Sequence, residues 1–509
     1  MKKYILLAGI LLLGIILRSY QLNLFPNGFF SDEAAIEYSG YKILTTGKDE
    51  YGVLFPFFFK SLGDYRNPVS IYSSIPFILL FGLSEFSARF VTAVYGTFTV
   101  LVVFLFVSRI FSHKTGLIAA FLLSISAWHI HISRWGAEYA PYPFFVLLTC
   151  FFIVSSFKKQ RFLIWAAVTG GIGLYTYYPS WIVMPIVFFT GIFYWFIVNR
   201  RKITWVPFIA VIIFMCSFFP LAMGIREGHA LTRWDRVTNN TVALSEKINK
   251  YFLYYKDHFL PLYLFQKGDL EYPGRFITRQ FVNREGFLYR FTALFILFGI
   301  IISILKRKTG WPLIIVLLLI YPLGSALTLE GPSTTRSFIG ILPFVILPGL
   351  GIGGFIKFLN KWKLIQFVMV IGLVVISSFE LHRYIKNYYI DYPLIASDFW
   401  GWQYGPRAIL TYYSTIQDKY DELYMAGEFN GAEIFIPFYT EGGSIKCSKC
   451  KGGGVELLDL SKRQLFEATP ALLEKWGNPN YKIIHTFYYP DRKPAFHIVR
   501  YTKSVEKKR

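Results

Sequence analysis

The chain has 509 residues, of which 54% are hydrophobic and 17% charged. Soluble domains carry roughly 45–50% apolar and about 25% charged residues, and the surplus here gathers into runs of roughly 18–22 residues, the length that crosses about 30 Å of hydrocarbon as a helix. An ordinary soluble globule is therefore excluded; the net charge of +22 sits largely in short loops between apolar runs, where it reports topology, and no nucleic-acid motif accompanies it.

The N-terminus, MKKYILLAGILLLGIILRSY (1–20), joins a basic start to a long apolar run. No small-x-small cleavage site follows, so it is expected to remain as a first span. Further basic clusters stand at Arg109–Lys114, Lys158–Arg161, Asn199–Lys202, Lys306–Lys308 and Lys357–Lys363. If each marks a cytoplasmic turn, two spans must fit between successive clusters. They do so as 4–20 and 87–108, 115–133 and 142–157, 162–178 and 180–198, 203–222 and 289–305, and 311–327 and 338–356, with a last span at 364–381. The expected fold is a polytopic α-helical membrane protein of about eleven transmembrane helices, with its N-terminus cytoplasmic and its C-terminus outside. The stretch PVSIYSSIPFILLFGL (68–83) would break that parity as a span and is expected to lie in the outer interface.

The outer side then carries a first loop, 21–86, a long loop, 223–288, with TRWDR and YPGRF, and the tail, 382–509. The tail lacks long apolar runs. Its segments AEIFIPFY and KIIHTFYY, separated by Gly-rich and Pro-bearing turns, predict strands in a small α/β domain, set apart from a transmembrane domain of residues 1–381. Cys150 and Cys216 fall within apolar runs and read as packing residues. CSKC (Cys447, Cys450) is one CxxC, open to a local disulfide or half a zinc site.

FFSDEAAIEY (29–38) sets two carboxylates, Asp32 and Glu33, just beyond the first span. The same outer surface receives Arg66 and Asn67 from GDYRNPVS, Arg134 and Glu138 from HISRWGAEYAPYPF, and Arg336 from EGPSTTRSF. Carboxylates and guanidinium groups converging there would suit a reaction on a lipid-borne phosphate: Arg holds the anion, and a carboxylate takes a proton from an incoming hydroxyl. Plainer readings stand beside this one. Asp32 and Glu33 favour a helix N-terminus in any case, Arg134 and Arg336 suit snorkelling, and His129 and His131 suit packing. Tyr175, Tyr177 and Tyr178 form an aromatic belt or line a sugar site.

The stretches FSDEAAIEYSGYKILTTGK, YRNPVSIYSSIPFILLFGLSEFSARFVTAVYGTFTVLVVFLFVSRIF and GLIAAFLLSISAWHIHISRWGAEYAPY keep a characteristic order: an acidic pair after the first span, a Pro-led apolar segment, a G-x-S-E-F-x-x-R step, and Ser-Arg followed four residues later by an acid. In this order over roughly residues 25–160 the chain resembles the C-type glycosyltransferases, specifically the dolichyl-phosphate-mannose protein mannosyltransferases and aminoarabinose-type transferases. The resemblance implies transfer of a monosaccharide from a polyprenyl-phosphate donor to an acceptor hydroxyl on the outer face. Asp32 would be the base, with Glu33 beside it, and Glu138 would stand where relatives commonly place an Asp. Asn67-Pro68 replaces a Lys-Pro or His-Pro pair, which passes the phosphate contact to Arg66. Arg336 would bind the donor phosphate, with Arg134 and Tyr178 as further substrate contacts. The phosphate leaves already ionised, so one carboxylate suffices, unlike the paired carboxylates of glycoside hydrolysis. No metal or other cofactor is expected to be required, and the expected partners are the donor, membrane lipids and an acceptor that is a protein, lipid or glycan.

A transporter or lipid flippase is the rival. It would show repeated halves and ionisable groups at mid-membrane, whereas this chain has no internal repeat and gathers its charges at the outer edge. A glycan-binding sensor anchored by its spans would have little need of so many.

Overall fold

The computed structural model describes residues 2–200, 204–230, 232, 237–238, 243–269, 277–282, 286–329, 331–477 and 480–502. The stretches 233–236 and 272–276, which hold most of TRWDR and all of YPGRF, lie outside the described residues, as do 201–202 of the fourth basic cluster.

Helix stands on each of the eleven apolar runs, although the lengths differ from the expectation. By length and composition five helices can cross a membrane: Glu85–Ile110, Ser180–Asn199, Val206–Arg226, Phe338–Lys361 and Lys363–Leu394. A sixth is added if His113–Ile125 and Ala127–Ser133, bent by 59° about Ser126, count as one span. Pro141–Ser156, Phe162–Gly173, Thr292–Lys306 and Trp311–Ala326 are each shorter. Against the expected runs the clear loss is in 162–178, whose helix ends at Gly173, short of Pro179. Hydropathy is blind to such a break.

In chain order, α1 (Lys2–Ser19) leads to α2 (Ser31–Thr46), the hairpin β1 (Phe59–Ser61) and β2 (Asp64–Arg66), and α3 (Pro68–Phe81). The helix α3 packs against α2 and leaves Leu79 and Leu80 exposed at its far end. Next come α4 (Glu85–Ile110), α5 (His113–Ile125), α6 (Ala127–Ser133) and α7 (Pro141–Ser156). Ser84 opens α4 with a capping box: its hydroxyl accepts from Ser87 N (3.2 Å), and Ser84 N donates to the Ser87 hydroxyl (3.1 Å). The contacts of α4 with α1, α5 and α7 build the centre of the helical bundle.

Helix Lys363–Lys386 runs past position 381, where hydropathy sets the domain boundary. Beyond it stands a five-stranded sheet in the order β4-β3-β5-β7-β6. Strands β3 (Glu422–Met425), β4 (Cys450–Gly452) and β5 (Gln464–Ala468) are parallel, whereas β6 (Tyr481–Tyr488) and β7 (Pro494–Tyr501) complete it antiparallel. KIIHTFYY falls in β6 almost whole. AEIFIPFY is not a strand: it forms a 3-10 turn and the helix Phe435–Thr440. Pro437 has no N–H to give a ladder, and Phe435, Phe438 and Tyr439 are buried at helical spacing. Cys447 and Cys450 are joined as a disulfide.

One hydrophobic core crosses between the two regions. Ala34, Ala35 and Tyr38 of α2 pack with Ile409, Phe435, Phe438 and Phe496. The helix that begins with the acidic pair is therefore clamped between the bundle and the C-terminal sheet.

Candidate active site

The acidic pair splits at the first turn of α2. Glu33 is fully buried. Its Oε1 accepts from Arg89 Nε (2.9 Å) and Gly136 N (2.9 Å), and its Oε2 accepts from Arg89 Nη2 (3.1 Å) and Phe30 N (3.0 Å). With two donors on each oxygen and no solvent, this carboxylate has no room for an acceptor's proton. It is a structural post, which corrects the expectation that Glu33 stands beside the base in the chemistry. Arg89, equally buried, also donates to the carbonyls of Leu22 (2.9 Å), Pro26 (3.2 Å) and Gly28 (2.5 Å), so it ties the loop before α2 to the start of α4.

Asp32 keeps 22% of its side chain exposed. Its Oδ1 accepts from Arg66 Nη2 at 2.7 Å, a charge-assisted bond. Arg66 Nη1 lies 3.9 Å from Glu138 Oε1, and Arg66 Nε donates to Ser61 Oγ (3.0 Å). Asp32, Arg66 and Glu138 thus meet, with the guanidinium between the carboxylates. Arg66 has a task the sequence does not reveal, which is to orient Asp32. The β1–β2 hairpin presents it, and the Tyr178 hydroxyl donates to the carbonyl of Tyr65 next to it, so Tyr178 braces the hairpin.

The remaining candidates lie elsewhere. Arg134 is fully buried and donates to the carbonyls of Leu17 (3.2 Å), Tyr20 (2.8 Å) and Phe25 (3.0 Å) and to the Tyr388 hydroxyl (3.1 Å). It closes the end of α1 and is not presented to a substrate, a second correction. Asn67, at the N-cap of α3, is buried rather than open to a ligand. Arg336 donates to Thr328 Oγ1 (2.8 Å). Thr328 lines a largely apolar groove of about 580 Å3 formed by Leu244, Ile248, Tyr251 and Phe252 of helix Leu244–Asp257 and by Leu327. Among the described residues, no three His, Cys, Asp or Glu side chains gather as a metal-holding group.

Burial charges this region unevenly. On α2, Glu37 is pushed up to about 8 by burial, against the opposing pull of Ser87 and Ser74. Glu50 is raised to about 7, again chiefly by burial, while its bond from Ser39 (3.0 Å) pulls down.

Residues 66–223 match the family described as dolichyl-phosphate-mannose-protein mannosyltransferase. ArnT from Cupriavidus metallidurans, solved bound to undecaprenyl phosphate, superposes with a TM-score of 0.52 at 11% identity, over 98% of this chain and 98% of that one. The Archaeoglobus fulgidus oligosaccharyltransferase gives 0.55 at 11% identity, over 97% of this chain and 74% of that one. The chain has the C-type glycosyltransferase fold. An uncharacterized protein of Aquifex aeolicus (strain VF5) is 32% identical over 115 residues, 22% of this chain, and the match spans 23% of that relative's length.

Within this glycosyltransferase fold, sequence reasoning passed over three holding residues. Arg89 stood in the G-x-S-E-F-x-x-R step without a role. Ser61, which fixes Arg66, had no motif. Gln403, whose Oε1 accepts from Ser31 N (3.1 Å), reaches α2 from 372 positions away, and no local pattern announces it.

Proposed function

We propose that the chain transfers a monosaccharide from a polyprenyl-phosphate donor to an acceptor hydroxyl on the outer face of the membrane, with Asp32 as base. The observation that carries this reading is the Asp32–Arg66–Glu138 cluster, a partly exposed carboxylate set against a guanidinium, with Arg66 and Glu138 inside the matched family segment and Asp32 ahead of it. The acceptor O–H proton passes to Asp32 as the acceptor oxygen bonds to the anomeric carbon. The bond from that carbon to the phosphate oxygen breaks, and polyprenyl phosphate departs with the electron pair, inverting the anomeric centre. Arg66 keeps Asp32 aimed and lends positive charge where phosphate charge grows. The groove beside Arg336 and Thr328 supplies apolar wall for the prenyl chain, with the guanidinium near its phosphate end. The C-terminal sheet lies on the outer side, where it packs on α2.

The test is turnover of purified full-length protein in lipid with a panel of radiolabelled polyprenyl-phosphate sugars. Asp32→Asn is expected to abolish release of the sugar from lipid. Wild-type turnover by that variant on every accepted donor overturns the assignment.

A further inference from the structure

Three cavities outside the Asp32 cluster share lining residues in sequence. The first, about 680 Å3, opens at the carboxyl ends of β3 and β4 and includes Glu428, Glu433, Glu456 and Trp476. The second, about 280 Å3, shares Glu428 and adds Asp398, Gln403, Tyr404 and Tyr489. The third, about 470 Å3, shares Gln403 and Tyr404 and reaches Asn27, Gly28 and Phe29, the residues just before α2. These shared residues set the three side by side as a furrow, from the sheet's carboxyl edge to the residues before α2. Where the second and third cavities meet, Gln403 Oε1 accepts from Ser31 N, one residue from Asp32.

The first cavity sits where strand order turns: β4 lies on one side of β3 and β5 on the other, the position at which open parallel sheets bind ligands. A Cβ on Gly454 would lie 2.8 Å from Glu456 Oε2 and 2.9 Å from Trp476 Cζ2, so the glycine lets carboxylate and half-buried indole close on this floor together. The carboxylates are anchored by backbone N–H groups. Thr469 N donates to Glu428 (2.9 Å), Gly454 N to Glu456 (2.6 Å) and Gly401 N to Asp398 (2.7 Å). Behind Ala426, which lines the first cavity, Glu467 is fully buried. One of its oxygens accepts from Ala426 N (2.9 Å), and the other has no partner among the described residues; a buried polar atom left this way is commonly the seat of a water or ligand hydroxyl.

Fixed carboxylates alternate here with aromatic faces: Trp476, then Tyr404 and Tyr489, whose rings lie 6.4 Å apart, then Tyr412. Carboxylates accept from hydroxyls, and aromatic faces cover the C–H side of a sugar ring. A lipid chain calls for the apolar groove at Leu244 and Phe252 instead. An extended peptide is taken up along a sheet edge, whereas this furrow crosses strand ends.

We infer that the acceptor is an oligosaccharide chain, laid along this furrow with its growing end toward Asp32. The inference rests on the glycosyltransferase reading above. It is tested on full-length protein in lipid discs, by binding to a ladder of tagged glucose-, galactose-, mannose- and N-acetylglucosamine-based oligosaccharides, run beside a pool of Ser/Thr peptides. Donor hydrolysis without acceptor is measured in parallel. Binding is expected to strengthen with chain length and to weaken at least about tenfold in Trp476→Ala and in the exposed Glu433→Gln, with donor hydrolysis unchanged in both. Asp32→Asn should bind oligosaccharide normally. No oligosaccharide binding, equal binding by both furrow variants, or transfer to the peptides alone overturns the inference and leaves the Asp32 assignment standing. Normal oligosaccharide binding with donor hydrolysis untouched by Asp32→Asn does the reverse.

Discussion

The charged layer beneath α2 and the charged rim of the C-terminal sheet use the same side chains to different ends. Beneath α2, Glu33 and Arg89 have no exposed surface, and Arg134 is equally enclosed. On the sheet, Arg463 meets Asp421 at 3.0 Å with both side chains about half exposed, and Lys451 and Lys462 meet Glu422 from solvent. Exposed pairs are screened by water and salt and hold little together. Buried pairs cannot lose one member without stranding a charge. What a carboxylate does here is therefore set by its surroundings, and Asp32 stands between the two extremes, held by Arg66 and still reached by solvent.

The sharpest way to break this comparison is at the acidic pair. Asp32→Asn is expected to cut turnover by about 10²–10⁴, the usual contribution of a positioned base, with the unfolding midpoint unchanged. Glu33→Ala strands the Arg89 guanidinium and is expected to lower stability by roughly 3–5 kcal/mol, seen as loss of folded protein in a thermal or denaturant series. A stable Glu33→Ala protein that is merely inactive would show that the two neighbours share one task. Arg134→Met leaves the carbonyls of Leu17, Tyr20 and Phe25 without that donor, and a smaller loss follows, about 2–3 kcal/mol.

These expectations also mark what the sequence discloses. The apolar runs located helices because burial in lipid demands them. They overstated the run 162–178, whose helix ends at Gly173, because such a break carries no hydropathy. The meeting of Asp32, Arg66 and Glu138 was legible because chain order and side-chain chemistry agreed. The split between Asp32 and Glu33 was not, since it depends on Arg89 and Gly136 approaching from α4 and the loop after α6. Arg134 was misplaced for a similar reason: an arginine at a span end reads the same whether it meets a phosphate or three backbone carbonyls. AEIFIPFY shows propensity overruled by one proline and by an apolar spacing that fits a helix.

The smallest expected effect is a tilt in pH dependence, and it compares two residues of a single sheet. Glu467 on β5 is pushed by burial from an ordinary 4.5 up to about 8. Glu422 on β3 is pulled down to about 2, first by its hydrogen bond from Lys451, then by those from Gln464 and Lys462. Between about pH 4.5 and 8 the unfolded chain gives up the Glu467 proton while the native sheet keeps it. The native state binds more protons there, so stability falls as pH rises, by at most about 1.4 kcal/mol per pH unit for one proton. For Glu422 the window is below about pH 4.5: on acidification the unfolded chain takes a proton that the native state refuses, and stability falls as pH drops toward 2. Glu467→Gln should flatten the alkaline side of the curve of unfolding midpoint against pH and leave the acid side alone. Glu422→Gln should do the opposite, and added salt should shrink only the Glu422 effect, because salt reaches that carboxylate's lysine partners and does not reach Glu467. If both variants tilt the same side, the contrast between buried and rim charge does not extend to this sheet.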